Sequence, residues 1–264
     1  MASFASGPYH LAYDDLAPPS AVMGTVLLVH GFASNRAENW RRMGWYNAFA
    51  RAGYRVVAPD LRGHGESDKP HDPAAYGRET MAGDVFALMD HLDLPRVTLM
   101  GYSMGAYIAL TAALMAPHRV ERLILGGIGG RMFSSASNPL PTVTLSDALL
   151  TEAPDAIADP IQRGFRRFAE AQGDDREALA ACSRASNGAF DREALSRLMA
   201  ETLVVAGAQD ELAEDPQVLA DVLPHAKAVR LSACDHFSAI PHALFKAAVF
   251  DFLEGWDDEG PVFE

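Results

Sequence analysis

With 264 residues, 49% of them hydrophobic and 22% charged, the chain is long and apolar enough for one large domain with a substantial core, which excludes a disordered chain. Against 35 acidic residues stand 22 basic ones, and the formal charge of −13 repels nucleic acid and anionic membrane, so neither is expected as a partner. The first fifteen residues, MASFASGPYHLAYDD, carry neither a basic leader nor a continuous apolar stretch, and no apolar run approaches the roughly 18 to 20 residues of a membrane span, so a cytoplasmic location is the expectation.

Residues 9–13 fit a short edge strand. After Pro18 and Pro19, residues 25–29 (TVLLV) are almost purely apolar, the pattern of a strand covered on both faces, and they end in His30-Gly31-Phe32. A polar, helix-like stretch at 39–52 leads to a strand at 54–58 and then to Pro59-Asp60-Leu61-Arg62-Gly63-His64-Gly65-Glu66-Ser67. A helix over 79–92 precedes a strand at 97–100. Gly101-Tyr102-Ser103-Met104-Gly105 then passes directly into a helix, 106–115, rich in strong helix formers, and a further strand covers 122–125. Strands alternating with helices predict an α/β fold: a mostly parallel central sheet, right-handed crossovers and helices on both faces. Sites in such sheets lie beyond the carboxyl ends of the strands.

From Gly126 to about Phe190 the alternation stops. Gly126-Gly127-Ile128-Gly129-Gly130 and a loop at 134–141 precede helical segments near Leu145, at 161–171 and at 176–186, the last with Asp174 and Glu177 as a capping box. The word DREAL, at Asp175 and again at Asp191, is a helix-start composition too short to establish a repeat. Residues 129–190 are therefore expected to form a helical cap inserted into a core domain made of 1–128 and 191–264. Alternation resumes with a strand at 202–206 followed by Gly207-Ala208-Gln209-Asp210, a helix near 216–223, a strand at 228–231, and Ser232-Ala233-Cys234-Asp235-His236-Phe237. A closing helix over 241–253 has proline in its first turn, and the acidic residues 256–264 are expected to fray. Cys182 and Cys234 stand without metal-type spacing and read as reduced, buried thiols.

A strand that turns straight into a helix strains its hinge residue, and the glycines two positions to either side remove the Cβ atoms that would collide there. Ser103 is thus presented at the tip, where the helix aims free N–H groups and the positive end of its dipole at any negative charge forming beside it. A serine hydroxyl is a poor nucleophile near neutral pH; it needs a base within reach, and the base needs a partner that fixes its tautomer. Of nine histidines, His236 follows the last strand, and His30 and His64 follow earlier ones. His71, His91, His118, His225 and His242 fall in loops or at helix ends, and His10 lies in the edge strand. Asp210 follows the penultimate strand. The order Ser, Asp, His, each directly after a strand, is far more specific than the pentapeptide. The glycine run after the sixth strand offers no competing carboxylate, and Asp235 is expected to face solvent.

On these residues the chain resembles the α/β-hydrolase-fold serine hydrolases, of esterase-like type with a small helical cap. The resemblance covers residues 8–128 and 200–254 and leaves the cap undefined. It implies Ser103 as nucleophile, His236 as general base and then acid, and Asp210 as orienting carboxylate. His30-Gly31-Phe32 matches the family's oxyanion loop, which implies that the backbone N–H of Phe32 joins that of Met104 in an oxyanion hole. The loop from Arg62 to Ser67 matches another family segment and, with His30 and His64, is read as scaffold. Candidates to line the substrate pocket are Phe32, Tyr102, Phe133, Phe165, Phe168 and Phe237. The implied activity is hydrolysis of a small, partly apolar carboxylic ester without cofactor; no metal or nucleotide motif is present. Amide, lactone and carbon–carbon bond hydrolases and cofactor-free perhydrolases share the resemblance, whereas the serine argues against the haloalkane-dehalogenase type, which needs a carboxylate there. A ligand receptor retaining the triad is the alternative of another class. Oligomeric state stays open.

Overall fold

The computed structural model describes residues 2–133 and 144–255; the expected loop at 134–141 and the tail at 256–264 lie outside them. Eight strands, β1 (Ala2–Ser6), β2 (Tyr9–Leu16), β3 (Gly24–Val29), β4 (Tyr54–Pro59), β5 (Val97–Tyr102), β6 (Val120–Gly126), β7 (Glu201–Gly207) and β8 (Ala226–Leu231), form one sheet in the order β1-β2-β4-β3-β5-β6-β7-β8. β1 and β2 pair antiparallel with each other, as do β2 and β4, and every other pairing is parallel. The chain starts its parallel run in the middle of the sheet: β3 steps to β4 on one side, and β4 returns past β3 to place β5 on the other. Nine helices, counted among the described residues, follow in chain order: α1 (Trp45–Arg51), α2 (Arg78–His91), α3 (Met104–Met115), α4 (Leu145–Leu150), α5 (Pro160–Gln172), α6 (Arg176–Ser183), α7 (Arg192–Leu195), α8 (Pro216–Ala220) and α9 (Ala243–Glu254).

Because right-handed crossovers change faces when the direction of travel reverses, α1 falls on one face of the sheet and α2, α3 and α8 on the other. The alternation of strand side chains fills both layers. Val26, Leu28, Met100 and Ile124 meet Trp45 and Phe49 of α1 and Phe245 and Val249 of α9. Leu27, Val29, Leu99 and Leu123 meet Val85 and Leu88 of α2 and Ile108 and Ala112 of α3. All six residues of β5 are buried, as a strand covered on both faces requires.

Between β6 and β7, α4, α5 and α6 gather around Leu149, Ala169, Leu179 and Ala180, which rest on Ala33 of the loop after β3. The buried Arg166 of α5 donates to the carbonyls of Ala148, Leu149 and Thr151, closing the carboxyl end of α4. Among the described residues no helix is long and apolar enough to cross a membrane.

Several local expectations change. Residues 9–13 belong to an inner strand, not the edge: β1 lies outside it, with Phe4 opposite Leu11, and its ASFAS sequence shows a single large apolar residue. The stretch 39–52 is two pieces, a short π-helical turn (Ala37–Arg41) and α1, broken at Gly44, whose φ of 79° no helix interior adopts. The N-cap of α6 is Asp175, which accepts from the N–H groups of Glu177 and Ala178, so Asp174 and Glu177 form no capping box. Asp191 caps α7 in the same way, which accounts for the repeated DREAL. The closing helix starts at Ala243 with the His242 side chain as its cap, leaving Pro241 outside it. Cys182 and Cys234 are free and buried, and burial pushes the Cys182 thiol up to about 12.

Candidate active site

β5 ends at Tyr102 and α3 begins at Met104, so Ser103 alone makes the turn, at φ 53° and ψ −119°. A side-chain-bearing residue holds such a conformation at a cost of about 1–3 kcal/mol, and only where its surroundings leave no alternative. Here strand and helix are pressed together. A Cβ on Gly101 would fall well under 3.0 Å from the Gly105 carbonyl, and one on Gly105 equally close to the carbonyls of Val29 and His30. The Ser103 N–H donates to the Gly126 carbonyl at 2.8 Å, fastening the turn to the end of β6.

His236, in the loop after β8, reaches back to this turn. Its Nε2 is 2.9 Å from Ser103 Oγ, and its Nδ1 is 2.8 and 3.0 Å from the two carboxylate oxygens of Asp210. Asp210 accepts only, so the Nδ1 hydrogen points to it and Nε2 is left to accept from the serine. The carboxylate is itself fixed, because Oδ1 also receives the N–H groups of Leu212 and Ala213. The Tyr102 hydroxyl donates to the backbone carbonyl of His236. Gly127 makes room: a Cβ there would sit 3.0 Å from His236 Cε1. Asp235 is exposed and receives Ser238 and Phe237, bonds that hold its carboxyl below the usual range.

The His30-Gly31-Phe32 turn follows β3, the neighbour of β5, where the sheet changes direction and a crevice opens. Among the turn and loop bonds of the described residues, neither the Phe32 nor the Met104 N–H donates to a protein carbonyl. His30 is a staple: its Nδ1–H donates to the Gly31 carbonyl at 2.8 Å and its Nε2 accepts from the Leu61 N–H at 2.9 Å. His64 donates through Nδ1 to the Arg62 carbonyl, and the two rings meet edge to face. Burial above all brings His30 down to about 4 and His64 to about 3.

These two imidazoles make stability depend on pH. Unfolded, each takes a proton below about pH 6.5, whereas the folded chain refuses it until about pH 4 at His30 and about pH 3 at His64. Their contribution is complete above about pH 6.5 and is lost as pH falls through that window. Asp174, raised to about 7 by burial, acts in the opposite sense, so variant and wild type must be compared. His64→Asn, whose amide nitrogen stands where Nδ1 does and can still donate to the Arg62 carbonyl, is expected to make the fall in stability between pH 6 and pH 4 shallower by about 1.4 kcal/mol per pH unit, one proton's worth. Urea unfolding at pH 6, 5 and 4 measures it, and parallel curves for the two proteins would contradict it.

A narrow cavity of about 40 Å³ opens beside Ser103 and His236. Five of the six expected aromatics line it: Phe32, Tyr102, Phe165, Phe168 and Phe237. Phe165, from α5, stands edge-on to both Phe32 and Phe237, at 5.6 and 6.1 Å between ring centres. Phe133 does not line it. The turn after β6 (Gly130–Phe133) carries that ring against the main core and under the Arg192 guanidinium, 4.0 Å away. Ser34, Asn39 and Ile240 also line the cavity and were not expected from sequence. No motif marks them; the only hint was a polar Asn39 next to Trp40.

Comparison with known proteins places this geometry among relatives. The profile of the alpha/beta hydrolase fold matches residues 24–172. An epoxide hydrolase of Caballeronia sordidicola is 44% identical over 96 residues, which is 36% of this chain and only 28% of that protein's length. A 2-hydroxymuconate semialdehyde hydrolase of Pseudomonas sp. (strain CF600) is 29% identical over 262 residues, 86% of each chain. Among solved structures, the enol-lactonase from Burkholderia xenovorans LB400 aligns with a TM-score of 0.76 at 25% identity, covering 96% of this chain and 100% of that one.

Proposed function

The chain belongs to the α/β-hydrolase fold family, and from that premise we propose that it is a serine hydrolase cleaving a small, largely apolar carboxylic ester, open-chain or cyclic, through an acyl-enzyme on Ser103. The observation that carries this is the unbroken hydrogen-bonded line from Asp210 through His236 to Ser103 Oγ, at the tip of a strained turn and on the wall of an apolar cavity.

His236 Nε2 takes the proton as Ser103 Oγ attacks the ester carbonyl, and Asp210 holds the tautomer and stabilises the imidazolium. The N–H groups of Phe32 and Met104 receive the oxyanion at the amino end of α3; each such donor is worth about 3–4 kcal/mol of transition-state stabilisation. His236 then protonates the leaving alcohol and activates the water that releases the acid. The activities named for the relatives divide on the same residues. Opening an epoxide needs a proton for the departing oxygen, and among the described residues the one phenol lining the cavity, Tyr102, is committed to the His236 carbonyl. A muconic semialdehyde carries a carboxylate, and among the described residues no lysine or arginine lines the cavity. An enol-lactone is an ester, and its hydrolysis calls for neither.

The cavity holds no more than a few heavy atoms, and Phe165 walls it on the α5 side. Release of p-nitrophenol from acetyl to decanoyl esters is expected to be fastest with the shortest acyl chains. Phe165→Ala is expected to move the optimum about two to four carbons longer, since it removes an aromatic wall worth several methylenes. A fluorophosphonate is expected to label Ser103. Labelling without ester turnover would move the reading to an amide or carbon–carbon bond hydrolase; neither labelling nor turnover would favour a receptor.

A further inference from the structure

We infer that Asn39 selects the substrate: its side-chain N–H₂ donates to a second, uncharged oxygen on the acyl part, so the preferred esters are oxo-, hydroxy- or alkoxy-substituted rather than plain alkanoyl. This rests on the acyl-transfer reading above and adds to it the class of acyl group.

The asparagine is 4% exposed and lines the same cavity as Ser103. Its Oδ1 accepts the Gly31 N–H at 3.1 Å, which establishes which end of the amide is oxygen. The other end, Nδ2, is buried without a hydrogen-bond partner. Buried polar side chains are nearly always satisfied, and leaving such a donor unpaired is costly, so a native structure that keeps one beside a reactive group reserves it for a ligand. Trp40 Nε1, His64 Nε2, Arg78 Nε and Asp174 Oδ2 are also buried without a hydrogen-bond partner among the described residues, and Arg36 Nε has only its ion pair with Asp14, but none of those residues lines the cavity.

The reach is short. A Cβ built on Gly31 would lie 3.6 Å from Asn39 Oδ1 and 3.4 Å from Ser103 Cβ, so both flank Gly31 on the wall of one small cavity. An oxygen the amide receives therefore belongs to the acyl chain within a few bonds of the scissile carbonyl. Among the described residues no lysine or arginine lines the cavity to neutralise a carboxylate, so a carbonyl, hydroxyl or ether oxygen suits the donor. Gly31 also directly precedes Phe32, so the same amide that would receive this oxygen braces the peptide leading to the proposed oxyanion donor.

The test uses matched pairs. For p-nitrophenyl methoxyacetate against butanoate, and 4-oxopentanoate against pentanoate, kcat/KM normalised to the hydroxide-catalysed rates is expected to favour the oxygenated ester about tenfold or more. The ketones 1-methoxypropan-2-one and pentan-2-one, which cannot turn over, are expected to slow fluorophosphonate labelling of Ser103 in the same order. In Asn39→Ala and Asn39→Asp, the latter retaining an acceptor for Gly31, both preferences are expected to fall toward one even though every rate declines. Ratios near one in the wild type would overturn the inference without recourse to any variant, as would ratios that survive both substitutions. Absence of ester turnover with the ketone preference intact would overturn the ester reading and support the role of Asn39; loss of labelling as well would overturn both.

Discussion

Replacing Ser103 by glycine is expected to lower ester turnover by about 10⁴- to 10⁶-fold and, at the same time, to make the protein more stable. The two effects come from one feature. Among the described residues the hydroxyl is the only group in hydrogen-bond contact with His236 Nε2, so the proposed acyl transfer has no second nucleophile there on which to run. The same residue sits at φ 53° and ψ −119°, a conformation that crowds any Cβ but suits glycine. Relief of about 1–3 kcal/mol of strain exceeds the added entropy of an unfolded glycine, about 0.5–1 kcal/mol, and leaves a rise of roughly 2–4 °C in melting temperature for a chain of this size. Ser103→Ala keeps the Cβ and is expected to be equally inactive without the gain. Steady-state kinetics on p-nitrophenyl butanoate and calorimetry of the three proteins measure both parts. Residual turnover above about one per cent would remove Ser103 from the chemistry, and a less stable glycine variant would show that the turn is not where strain is held.

The second large effect is expected at Gly105. An alanine there would drive its methyl group into the carbonyls of Val29 and His30, which are backbone atoms of β3 and of the turn that follows it. Neither can retreat without parting β3 from β5 or displacing Phe32, so a loss of about 4 kcal/mol or more is expected, with little activity in whatever folds. Gly83→Ala is the control. It lies inside α2 with nothing within 4 Å of the added carbon, and is expected to stabilise the chain by about 0.5–1 kcal/mol. Urea unfolding of both variants decides the matter; a Gly105→Ala protein within 1 kcal/mol of wild type would mean that the close approach of strand and helix tolerates a methyl group.

What could be read from sequence follows from how locally each feature is encoded. β3, β4, β5 and β7 are buried on both faces, so their apolar runs announce them, and the serine turn is spelled out by two glycines at which any Cβ would collide with backbone. His236 and Asp210 were legible because each lies in the loop that follows a strand, and parallel strands bring their carboxyl ends to one edge. Features that depend on a partner distant in sequence were not legible. Phe4 is the one large apolar residue in β1, and nothing local says that Leu11 will lie opposite it. Asp174 and Asp175 are equally good caps by type, and the chain's path out of α5 decides between them. Phe133 and Phe165 are the same residue type in the same insertion, yet one packs under Arg192 and the other on the cavity wall. Asn39 looked like one polar position of a helix, because its bond to Gly31 exists only once a π-helical turn has brought it round.

The reversal of direction at β3 also sets an order of assembly. Ser103 and His236 are 133 positions apart, and β5 must seat beside β3 after the chain has first built β4 on the far side. Parallel pairings over such separations form late, because long loops close before any contact rewards them. A chain synthesised as far as β6 already holds the Gly126 carbonyl that fastens the serine turn, but Asp210 and His236 arrive only with the ends of β7 and β8. On the proposed reading, a half-made molecule thus carries the Ser103 hydroxyl before its proposed base and carboxylate are in place, and reactivity is the last property such a chain would acquire.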